Sequence, residues 1–359
     1  MTEALLRRST QRGQRRERRA PAESGRGAAD DTPTGGGGRR RHPVRLDGAR
    51  FADEHGFTAV WTPERHFHGF GGPYPNPAVT GAAVAAVTRR VGVRAGSVVL
   101  PLHDPLRVAE EWAVVDRISH GRAGLAFASG WHAVDFVLAP DRYPHRRAEL
   151  PELIDQVRAL WRGGTVARTD GTGSRVDVAV FPRPVQADLP VWITSAGDLA
   201  TFELAGRLGV GVLTHLLTQS LDELRPKIER YRRLHPGRGQ VTLMLHTLVG
   251  PDDAGVAALA REPMTRYLRS SLDLVAGMLP GPAFHDGTVT DDEADFLIGR
   301  VLDRFLAERG LFGSVPTCAR TLRRLADAGV DEVACLIDFG VPAEATRSGL
   351  THLARLVGR

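Results

Sequence analysis

From Val44 onward the chain repeats one unit: apolar residues at helical spacing, a tight break, then a short run of small and β-branched residues. The stretch RLDGARFADEHGF sets Leu46, Ala49, Phe51 and Ala52 at helical spacing and stops at Gly56, a natural helix terminator. A strand over Thr58–Trp61 follows, and Pro63 ends it. The same alternation predicts a helix over Pro77–Thr88 before a strand at Val93–Leu100, and a helix over Leu106–Ile118 before Gly124–Ala128. A helix over Ala148–Trp161 leads to a glycine-rich polar segment, read as a hairpin excursion near 163–182. Further strands are expected at Val191–Thr194, Gly211–Thr214, Val241–Val249 and Glu332–Ile337. Repeated strand and helix units imply an α/β fold with a parallel sheet and right-handed crossovers. Seven strands are counted, and a closed TIM-like (β/α)8 barrel needs one more. The missing strand belongs before Val44, where the sequence offers an Arg/Gly tract. The first strand is therefore expected to be missing or replaced: the barrel is open, another segment substitutes, or a wrong start or frameshift removed it.

Residues 1–42 are expected to form a disordered low-complexity tail, because they hold almost no aliphatic pattern with which to offset ordering entropy. The barrel is assigned to residues 43–359, with a variable helical insertion near 251–311. The sequence pI of about 9.8 invites a nucleic-acid reading. However, residues 1–45 carry 12 of the 47 basic residues and only 5 of the 42 acidic ones, so the remainder is close to neutral. Nucleic-acid binding through the tail is thus kept only as a disfavoured alternative. Two cysteines, Cys318 and Cys335, lack the spacing of a disulfide framework or a zinc site, and no metal is expected. No run approaches the roughly 20 apolar residues of a membrane span, and no apolar segment follows the basic N-terminus, so a cytoplasmic protein is expected.

The segment TPERHFHGFGGPYPNP, residues 62–77, follows a strand and so falls on the rim where barrel enzymes keep their sites. It gathers Glu64, Arg65, His66 and His68 among aromatic residues. Imidazoles transfer protons near neutral pH, and a guanidinium stabilises anions. A second segment, TSAGDLATFELA, runs from a strand end through Gly197 into a helix. Backbone N–H groups at that helix start, with the Ser195 and Thr201 hydroxyls, suit a phosphate, although a simple N-cap at Asp198 explains the same sequence.

These segments carry a resemblance. TPERHFHGFGG…NP, VVLPLHDPLRVAEEWAVVDRISHGR, AGLAFASGWHAVDFVLAP and LPVWITSAGDLATFELAGRLGVGVLTHLL resemble, in order and spacing, the bacterial luciferase-like flavin monooxygenases, and most closely their natural-product branch. The resemblance implies a barrel of the luciferase type. It puts the family's catalytic histidine position on Arg65, so proton chemistry falls to His66 or His68, with Glu64 as the family acid. It further implies a flavin-supporting cis bond at Gly96–Ser97, phosphate contacts at Ala196 and Gly197, Ser129 in place of a phosphate-binding arginine, and Trp131 near the isoalloxazine or substrate.

The implied activity is oxygenation by reduced FMN and O2, the FMN arriving from a separate reductase because no dinucleotide-binding loop is present. The expected substrate is a natural-product intermediate, free or attached to a carrier protein, and a homodimer is compatible with the family. Deazaflavin-dependent hydride transfer is the alternative on the same barrel, and an inactive truncated homologue is an alternative of another class.

Overall fold

The computed structural model describes residues 3–7, 46–67, 74–269 and 291–357. In chain order the elements are β1 (Glu3–Arg7), α1 (Leu46–Glu54), β2 (Ala59–Thr62), α2 (Pro77–Val87), β3 (Gly92–Val99), α3 (Pro105–Ile118) and β4 (Ala123–Ala128). There follow α4 (Arg146–Trp161), β5 (Val166–Thr169), β6 (Arg175–Val178), β7 (Val191–Ser195), α5 (Leu199–Leu208), β8 (Gly211–His215) and α6 (Leu221–Leu234). The last are β9 (Val241–Gly250), α7 (Asp253–Arg269), α8 (Asp291–Glu308), β10 (Leu311–Ser314), α9 (Val315–Asp327), β11 (Glu332–Leu336) and α10 (Ala343–Ala354).

Eight strands close a ring in the order β1, β2, β3, β4, β7, β8, β9, β11. Seven of them run parallel, as the strand–helix alternation implies, whereas β1 runs antiparallel to both neighbours. Ala4, Leu5, Leu6 and Arg7 pair with Cys335, Ala334, Val333 and Glu332, while Glu3 and Ala4 pair with Trp61 and Val60. β1 takes the place of the missing first strand, so the substitution by another segment that the sequence leaves open is met by Glu3–Arg7. Leu5 and Leu6 are the only leucines among the first 42 residues, which contain no Ile, Val or Phe. The facing edges of β2 and β11 offer backbone partners that a short aliphatic segment satisfies in either direction. The remainder of the expected tail, residues 8–42, lies outside the described residues.

Local chemistry sets the helix starts. Asn76 Oδ1 accepts from the Ala78 and Val79 N–H groups, with Pro77 in the first helical position of α2. Asp104 and Pro105 repeat the device at α3, and Ser220 with Glu223 forms a reciprocal capping box at α6. The expected hairpin excursion is the antiparallel pair β5 and β6. The insertion comprises α7, α8 and the unforeseen strand β10, which pairs with the last four residues of β9; residues 270–290 lie outside the described residues.

The main core lies between the strands and the surrounding helices. A second layer fills the bore with Ala59, Trp61, Ala126, Trp192, Leu213 and Ala334. Below them Arg94 is held over the Trp61 and Trp192 rings, 5.3 and 4.6 Å from their centroids, and pairs with the buried Glu332 at 2.9 Å. The bore is thus plugged at its lower end by a paired charge, and only the rim at the strands' C-terminal ends is left for chemistry.

Candidate active site

After Thr62 and Pro63 the chain turns over the rim, and the Glu64 side chain is driven completely out of solvent. Its Oε1 accepts from His66 Nε2 at 2.8 Å and from His103 Nε2 at 2.6 Å, and its Oε2 accepts from the Val99 N–H at 2.7 Å. His103 stands on the next strand's exit, after the 3-10 turn Leu100–Leu102. Burial works to raise the Glu64 carboxyl, but the hydrogen bonds from His103 and His66, the charge on His103 and the Val99 N–H together outweigh it. The group sits below the usual carboxylate range and is ionised, so both imidazoles donate through Nε2 and keep Nδ1 for other partners. For His66, the hydrogen bond to Glu64 raises the proton affinity above the ordinary value against the opposing effect of burial, helped by the charges of Glu64 and Asp135.

Arg65, half-buried, fixes the loop through its backbone, whose N–H donates to the Tyr74 carbonyl at 2.9 Å. His68 lies outside the described residues. The Gly96–Ser97 peptide is cis, as the family resemblance implies. A Cβ on Gly96 would come within 2.9 Å of the Trp61 ring, so this backbone passes too close to the bore for any side chain. Ser97 Oγ lies 2.5 Å from Thr194 Oγ1, and Thr194 leads directly into the second predicted segment.

In that segment Gly197 has φ 116°, a conformation that L side chains rarely adopt, and a Cβ there would lie 2.9 Å from Gln219 Oε1. The buried Ser195 Oγ accepts from the Gly197 N–H at 3.1 Å, so this hydroxyl shapes the turn. Ala196 is exposed, and its carbonyl accepts from the Thr218 hydroxyl. Asp198 is the N-cap of α5, its carboxylate accepting from the Ala200 N–H at 3.1 Å, and Thr201 is half-buried in the first turn. At the end of β4, Ser129 is half-buried and Trp131 is 53% exposed, its ring 5.2 Å from that of His132.

The structure therefore joins Glu64 and His66 directly and connects Ser97 to the Ser195–Thr201 turn through Thr194. The sequence alone does not connect His103 to Glu64, and it does not point to Thr194 or Gln219. The signal for His103 was the one that exposed His66, a polar residue just beyond a strand.

The comparisons bear on this arrangement. The family model described as luciferase-like monooxygenase matches residues 28–332. The chain belongs to that family. A luciferase-like relative, the oxygenase component of flavin-dependent trigonelline monooxygenase from Acinetobacter baylyi, is 30% identical over 325 residues, which is 85% of each chain. Among solved structures, monooxygenase RslO1 from Streptomyces bottropensis superposes with a TM-score of 0.69 at 22% identity, covering 87% of this chain and 91% of that one. The oxygenating constituent of 3,6-diketocamphane monooxygenase from Pseudomonas putida, solved with FMN, gives 0.67 at 16% identity over 90% and 94%. An F420-dependent secondary alcohol dehydrogenase, solved with an F420-acetone adduct, shares the fold with a TM-score of 0.62 at 18% identity over 89% and 96%. No helix among the described residues is long and apolar enough to cross a membrane.

Proposed function

We propose that this luciferase-like protein is a monooxygenase that takes reduced FMN from a separate reductase, with O2, and oxygenates a natural-product intermediate, free or carrier-bound. The observation that carries the reading is the Glu64 clamp: one buried carboxylate holds two imidazoles at the bore mouth, one strand away from the cis Gly96–Ser97 ledge. When bound, FMN supplies the oxygen-activating redox chemistry, and the chain's part is to bind, to exclude water and to handle protons.

In this reading Glu64 is a positioning residue. It fixes the Nε2 tautomer of His66 and His103, and His66 exchanges a proton with the bound partners through Nδ1. Arg65 steadies negative charge at the loop, Gly96 and Ser97 support the ring system, and Trp131 with Ser129 closes the β4 side. The phosphate is held at the Ser195–Thr201 turn, where Gly197 takes a φ of 116° that glycine adopts freely and the start of α5 supplies N–H groups and the positive end of its dipole. The relative named as an oxygenase component supports a separate reductase, and the FMN-bound neighbour supports FMN.

The test is anaerobic titration of the purified protein with reduced FMN and with reduced deazaflavin, followed by mixing with O2. FMN binding together with protein-dependent oxygen consumption is the expected result. Binding of deazaflavin alone, with hydride exchange and no oxygen uptake, would transfer the chain to the deazaflavin reading.

A further inference from the structure

Strand alternation identifies two more residues of the bore. Leu213 of β8 belongs to the interior cluster and Met244 of β9 packs against it, so His215 and His246, each two residues further on, share their side at the mouth end. His215 stands opposite Met244 in register, and His246 opposite Leu336. The insertion roofs this sector. The His246 ring is 4.3 Å from that of Tyr267 on α7, 5.7 Å from Phe305 on α8 and 5.7 Å from Phe339 beyond β11.

His246 is 2% exposed, and its Nε2 has no hydrogen-bond partner among the described residues. Leaving such a buried group unsatisfied is destabilising, a cost that a leucine or methionine in this apolar cluster would avoid. His215 is differently placed. Its Nδ1 accepts from the Leu217 N–H at 3.2 Å, so its neutral ring carries the proton on Nε2. Burial pushes His215 down to about 4, and burial together with the neighbouring His215 pushes His246 down to about 3. Neither ring then offers positive charge to a carboxylate near neutral pH.

We propose that His246, backed by His215, is a substrate-anchoring subsite beneath the α7–α8 insertion, which takes an uncharged hydroxyl or carbonyl group carried on an aromatic or alicyclic skeleton. The imidazole supplies one hydrogen bond, and the three surrounding rings supply apolar contact. The inference deepens the monooxygenase reading and rests on it only in taking the ligand to be the substrate.

The test uses the flavin-free full-length protein with phenol, toluene and benzoate as probes, followed by histidine-ring NMR and assigned with the His246→Leu spectrum. Phenol is expected to shift the His246 resonances and to bind at least tenfold more tightly than toluene or benzoate. His246→Leu should abolish that preference and melt at the same or a higher temperature, whereas His246→Gln, which keeps a donor and an acceptor, should retain part of it. Unmoved His246 resonances, a preference that survives in His246→Leu, or a lower melting temperature for that variant would each overturn the proposal. No flavin enters the experiment, so its failure leaves the FMN reading standing, and failure of FMN binding leaves the subsite measurable.

Discussion

Glu64 accepts hydrogen bonds from three donors on two strand exits while fully shielded from water, so its replacement has predictable costs. In Glu64→Gln a carboxamide N–H must face one of those donors, and stability should fall by about 2–4 kcal/mol in chemical denaturation. The pH dependence follows from the same contacts. His66 binds its proton more tightly folded than at its ordinary value of 6.5, so its contribution is complete below that value and fades as pH rises through the folded pKa. Glu64 is depressed below 4.5, so its contribution holds above that value and fades as pH falls through its folded pKa. The parent should therefore lose more stability between about pH 5.5 and pH 8.5 than Glu64→Gln does, compared by denaturation midpoints. In single turnovers His66→Ala should slow oxygenation by about a hundredfold with flavin binding largely kept, whereas Arg65→Lys should weaken binding through loss of the planar fork. Glu64 and His66 were legible because they are near neighbours in sequence. Their link to His103 was not, since it spans 39 residues and exists only because β2 and β3 pair side by side.

At the start of α5 two readings of the sequence, an N-cap at Asp198 and a phosphate seat, meet in one geometry. The cap is formed by a carboxylate, which stands at the end of the helix where an anion would be received. Asparagine caps as well as aspartate without the charge. Asp198→Asn should leave the melting temperature unchanged and tighten FMN binding about three- to tenfold, read by fluorescence titration at low salt. Unaltered affinity would move the phosphate away from this turn. The seven parallel strands and the first four helices were legible to within a residue or two because the barrel repeats one pattern under one constraint. β10 was not: its four residues, LFGS, have no periodicity of their own and become a strand only against the free upper edge of β9.

For the molecule as a whole, ring closure depends on Glu3–Arg7, a segment that composition alone assigns to a structureless tail. Five residues are too few for a periodic signal, and their role is set by a gap between β2 and β11 formed by residues more than 50 positions away. Removing residues 1–7 should lower stability by at least about 2 kcal/mol and promote aggregation, seen in denaturation and light scattering, because it uncovers two strand edges at once. A deletion that leaves the melting transition untouched would mean that the seven parallel strands suffice. β9 adds another dependence. Its first residues are a stave of the barrel and its last four carry β10, so the insertion and the wall bearing His246 are two ends of one continuous plank. A lid cut from the same board as its frame does not swing independently. On the opposite side of the rim Phe67 and Trp131 stand open to solvent like the jambs of a doorway.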